Sequence, residues 1–72
     1  MSDGALRRFG ELILLRPGRQ APPAVVAEWY RRKAELFEDI AAHGGPEADE
    51  ASRLAAAARR HAERLLSDSA AA

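Results

Sequence analysis

The chain has no cysteine. No disulfide can brace it, and no thiolate is present to hold a metal or attack a substrate. Its two histidines, His43 and His61, are too few for a classical zinc site. Aromatic residues are scarce: one Trp, one Tyr and two Phe. The longest strongly apolar run is Leu12-Ile13-Leu14-Leu15. That is far short of the roughly 20 residues needed to cross a bilayer, and of a signal-peptide core. No targeting signal is evident, so the expected location is cytoplasmic, with no membrane partner.

An excess of one charge is also missing. Lys+Arg and Asp+Glu are both 11, for a formal net charge of zero. Binding along many phosphates favours a basic surplus, and the chain as a whole has none. Residues 1–20 carry four Arg against two acids, residues 21–43 three bases against four acids, and residues 44–72 four against five. The basic bias is therefore mild and confined to the N-terminal part.

At 72 residues the chain is expected to form one small domain, residues 1–72. Such a domain buries little apolar surface and is marginal without a staple or a partner. With disulfides and zinc excluded, oligomerisation or docking onto another protein is the remaining source of stability.

Two punctuation marks divide what is there. The first is RPGRQAPP, residues 16–23. Pro17-Gly18 suits the centre of a type II turn, and Pro22-Pro23 presets φ for a helix start. The second is HGGPE, residues 43–47. Gly44 suits the left-handed position after a helix, Gly45 leaves room to turn, and Pro46 starts a new helix. A connector this short implies an antiparallel αα-hairpin.

Between the marks, apolar residues at 26, 29, 30, 36, 37 and 40 recur with helical spacing, predicting a helix over 23–43. Lys33 interrupts the stripe, but its stem can lie along it while the amine reaches water. The second helix is predicted over 46–67. Acids crowd its first turn and arginines its end, as the helix dipole favours, and Asp49–Arg53 forms an i,i+4 pair. Its stripe is Ala51, Leu54, Ala55, Ala58, Ala62, Leu65 and Leu66. Residues 68–72 are expected to fray.

Folding the hairpin about Gly45 puts Ile40 opposite Ala51, and Leu36 and Phe37 opposite Leu54 and Ala55. Trp29 and Tyr30 then face His61 and Ala62. Large residues on one helix are expected to meet small ones on the other. The N-terminal segment offers Leu6, Phe9, Leu12 and Ile13 at helical spacing, with Ser2 or Asp3 as a cap, although ELILL could also run extended. A short helix packing across the open face of the hairpin is expected. The fold class is thus all-α: a helical hairpin with a short N-terminal helix, dimerising into a bundle.

Chemistry-bearing constellations are absent. The serines, Ser2, Ser52, Ser67 and Ser69, have no base at a telling spacing, and no Gly-rich phosphate loop precedes a helix. Neither helix of the hairpin carries the Glu-x-x-His motif of a di-iron bundle. The expectation is a non-enzymatic protein without cofactor, metal or small-molecule substrate. Arg31-Arg32-Lys33 spans about 200° of a helix and cannot form one patch. RPGR has the letters of a minor-groove hook in the wrong order, and turn chemistry accounts for it.

The aromatic stripe remains. A two-helix hairpin cannot bury a stripe as wide as positions 29, 30, 36 and 37, so something must cover it. The sequence therefore reads as a protein–protein interaction module, an accessory regulator acting by helix packing. Trp29, Tyr30, Phe37 and Ile40 are its expected anchors, and a second copy or another protein is its partner. The alternative is a nucleic-acid-associated factor presenting Arg7, Arg8, Arg16 and Arg19.

Overall fold

A computed structural model describes residues 3–71. They form three helices, α1 (Asp3–Leu14), α2 (Pro23–Ala42) and α3 (Ala48–Ala71). The predicted hairpin is present, with α2 and α3 packed along each other. N-terminal residues 5–14 are helical rather than extended. Ser2 lies outside the described residues.

Both hairpin marks act, though not in equal degree. Pro22 and Pro23 open α2, with Pro22 extended at the N-cap. At the other end Gly44 and Gly45 take φ of 76° and 88°, a region where a Cβ would be strained. Pro46 and Glu47 lie in a turn, so α3 begins at Ala48 instead of residue 46. The expected type II turn at Pro17-Gly18 does not form. Gly18 is not among the positive-φ glycines, and the Ala21 amide instead donates to the Gly18 carbonyl. The C-terminal residues expected to fray continue α3 to Ala71, consistent with the high helix propensity of alanine.

The seam between α2 and α3 is built from alanine on both sides. Ala27 and Ala34 of α2 are 1% and 0% exposed, and Ala51, Ala55, Ala58 and Ala62 of α3 are 2–4% exposed. The α2 series 27, 30, 34, 37, 41 and the α3 series 48, 51, 55, 58, 62, 65 both step by three and four. That is the heptad spacing of a left-handed helix pair. In an antiparallel hairpin it sets Ala27 against Ala62, Ala34 against Ala55 and Ala41 against Ala48. Small residues on both helices permit approach at the near end of the usual range of about 8–10 Å.

The expected large-on-small pairing is therefore corrected. Leu36 does not meet Leu54: it is buried on the opposite side of α2, while Leu54 stays 38% exposed. Trp29 likewise turns away from α3. Tyr30 keeps its predicted neighbour, with its ring 4.2 Å from that of His61.

The position of α1 is a second correction. It does not cross the hairpin's open face. It lies along α2 alone and does not reach α3. Leu12 is buried against α2, Phe9 meets Phe37 edge-on at 6.2 Å, and the Trp29 indole N–H donates to the Leu12 carbonyl at 2.8 Å. The three helices thus form one layer with α2 in the middle, of extents 42 × 22 × 12 Å.

Replacing Ala34 with Leu inserts three carbons into the closest part of the seam. Overpacking of this kind should cost about 1–3 kcal/mol, read as a lower midpoint of thermal unfolding followed by circular dichroism. An unchanged midpoint would mean that α2 and α3 do not pack tightly at Ala34.

Candidate interaction face

A single layer has two broad faces, and here they differ in chemistry. One is charged. Arg59 of α3 reaches across the seam to Glu38 of α2 with two hydrogen bonds of 2.6 Å. Glu28 pairs with Arg31 and Arg32, and Arg8 of α1 pairs with Asp39 of α2. On the rim, Arg53 pairs with Glu50 rather than with Asp49, its expected i,i+4 partner. These pairs are exposed and individually weak. The Arg59 hydrogen bond, and then its charge, hold the Glu38 carboxyl below its ordinary range, and the same pair raises Arg59.

The other face is apolar. Phe37 and Tyr30 of α2 carry the contacts to Phe9 and His61, so these residues share a side of the layer. Helical spacing adds Leu6 and Ile13 next to Phe9 on α1, and Val26 next to Tyr30 on α2. On α3 it adds Leu54 and Leu65 on either side of His61. Leu6 is 58% exposed and Ile13 54%, although neither carries a charge that would favour water. The side chains of Val26, Tyr30, Phe37 and Leu65 are half-buried.

Two polar groups interrupt this surface. Lys33 lays its amine 5.7 Å from the centroids of both the Trp29 and Tyr30 rings, a cation–π arrangement that draws the charge to one side. His61 lies against Tyr30, while His43 sits at the C-terminal end of α2 with its Nδ1 by the Asp39 carbonyl. The two imidazoles belong to different regions of the hairpin. Among the described residues no three His, Asp or Glu side chains converge on a point.

Of the four anchors read from the sequence, the fold brings Tyr30 and Phe37 onto the apolar face. Ile40 sits at its edge, where with Arg8, Asp39 and His43 it lines a groove of about 320 Å³. Trp29 acts within the chain, where its N–H and ring clamp α1 and the connector to α2, with the Arg16 guanidinium 5.9 Å from the ring centroid. Sequence reasoning misses Leu6, Phe9 and Ile13 as surface residues, because their helical spacing reads as cover for the hairpin. It misses Leu54 because a leucine on an alanine-rich stripe reads as core.

The four candidate phosphate-binding arginines do not converge. Arg8 is paired with Asp39 and Arg16 lies on Trp29. Arg7 is exposed on α1, and Arg19 is in the connector beyond that helix.

Leu14, Leu15 and Val25 are also exposed, at 86%, 63% and 51%, near the connector from α1 to α2, where Leu15 and Val25 line one groove. No described helix is long and apolar enough to cross a membrane. No protein-family model matches the chain, and no curated protein or solved structure is detectably similar to it.

Two outcomes follow from these contacts. Trp29→Phe deletes the indole donor but keeps the ring. It should cost about 1 kcal/mol, speeding α1 amide exchange roughly fivefold while α2 and α3 keep their protection. Equal acceleration in all three helices would show that α1 is not separately held. The second concerns pH. A carboxyl with a lowered folded-state pKa contributes stability that is complete above its unfolded value and lost as pH falls through the folded one. Glu38→Gln should therefore remove a small part of the acid-side loss of stability and leave the alkaline side unchanged. The effect is small because both partners are nearly half exposed to solvent.

Proposed function

We propose that this protein is a non-enzymatic protein–protein interaction module, an accessory regulator that works by packing its helical layer against another folded surface. The observation that carries the reading is the largely apolar face contributed by all three helices, interrupted by Lys33 and His61. Monomeric proteins rarely leave such surfaces uncovered, and contiguous apolar area rimmed by charge is the usual mark of an interface. Tyr30 and Phe37 at its centre are of the residue types enriched among interface anchors. The paired charges of the rim would fix register and contribute little affinity.

The dispersion of Arg7, Arg8, Arg16 and Arg19 favours this reading over one in which the N-terminal part tracks a nucleic-acid backbone. Phosphate binding works through convergent, unpaired cations.

Site-specific photo-crosslinking in the source cell tests the reading directly. A photoreactive phenylalanine analogue at position 13, on the apolar face, should give one discrete protein adduct. The same probe at position 56, on the charged face, should not. Absence of any adduct from position 13, or equal labelling from both, would sink the proposal.

A further inference from the structure

We propose that the occupant of the apolar face is a second copy of this chain, seated face to face about a two-fold axis to make a two-layer bundle of six helices. The inference rests on the interaction reading above and names its partner. A compact protein of 7.8 kDa is expected to expose about 4,400 Å². This chain exposes 5287 Å². The surplus, on the order of 900 Å², belongs to the elongated chain as a whole and is enough to include the share of about 800 Å² that one partner gives up in a protein interface of standard size. The radius of gyration points the same way. It is 13.1 Å, against about 11 Å for a compact chain of this length. A layer 12 Å thick is half of a two-layer domain, and a second layer supplies the missing half.

The chemistry of the face suits a copy of itself. An isologous interface needs a self-complementary patch. This one is largely apolar, with Phe9, Ile13 and Phe37 on one flank and Leu54 with Leu65 on the other. The formal net charge is zero, so two copies do not repel as wholes. On the rim, Glu50 with Arg53 forms a balanced pair. Two permanent charges reach the face, Lys33 beside Tyr30 and the Arg64 guanidinium beside His61. The Lys33 amine is drawn over the Trp29 and Tyr30 rings, which offset part of the cost of bringing its charge into the contact.

Light scattering and sedimentation equilibrium on the full chain decide the matter, with circular dichroism as the folding control. The wild type should be a dimer in the micromolar range. Ile13→Glu and Leu54→Glu place a charge in the contact and should each weaken the dimer about a hundredfold or more, without loss of helix, because both residues are exposed in the single chain. Ala56→Glu on the charged face should leave the dimer intact. Lys33→Met removes the buried charge and should tighten association by about tenfold. This variant adds apolar surface, so it tests the face even if the charged variants unfold.

A folded wild-type monomer throughout this range overturns the proposal. So does a dimer that Ala56→Glu dissociates while Ile13→Glu and Lys33→Met leave it unchanged. A monomer that sediments with phosphatidylserine-containing vesicles overturns it in favour of a lipid surface. A monomer that still gives a discrete crosslink to a different protein from position 13 overturns self-docking alone and leaves the interaction reading standing. A monomer with no crosslink overturns both.

Discussion

Alanine against alanine along the α2–α3 seam governs the rest of the molecule. A pair of helices meeting through methyl groups brings two backbones close, which gives good van der Waals contact and rigid register. It also means that the seam buries very little apolar surface per residue. The bulky residues of both helices cannot enter so narrow a gap. They are displaced to its flanks, Tyr30 and Phe37 from α2, and Leu54 and Leu65 from α3. The charged face is a consequence of the same geometry. Glu38 and Arg59 flank the seam on the other side and are near enough to bridge it directly.

The placement of α1 follows from what the seam leaves over. Leu36 and Trp29 project from the side of α2 away from α3, and a single chain must cover them. The short helix α1 does so with Leu12 and with a carbonyl that accepts the indole N–H. Once α1 is spent on that side of α2, nothing in the described chain remains to cover the flank where Phe9, Tyr30 and Phe37 meet. Three helices around a common centre would bury one shared core. Three helices in a row bury two narrow seams and leave a broad face.

Much of this is legible in the sequence, and the misses have a common cause. The hairpin is legible because its punctuation is local chemistry: Pro22-Pro23 sets φ at one helix start, and Gly44 supplies the left-handed residue at the other end. The level of Tyr30 with His61 follows from counting away from that turn. Leu36, Leu54 and Trp29 are misplaced because hydropathy treats alanine as background and leucine or tryptophan as core. In α2 the decisive positions are Ala27, Ala34 and Ala41, one every seventh residue, and they carry little weight in any apolar stripe. The Pro17-Gly18 turn fails for a different reason. The clamp of Leu12, Trp29 and Arg16 holds that connector, and tertiary contacts override a local preference.

The functional consequence is a matter of which side of the layer is left apolar. A solvent-facing helix surface costs nothing to make polar, as the glutamates and arginines of the charged face show. Leu6, Ile13 and Leu54 keep 58%, 54% and 38% of their surface in water in the single chain. That exposed apolar share contributes nothing to the fold of the isolated layer and leaves it open to aggregation. It becomes favourable only in a state where those side chains leave water. Stability and function then share one origin. The same contact that would complete a thin, alanine-seamed layer would also constitute what the protein does, and the folded form would be coupled to its partner by mass action.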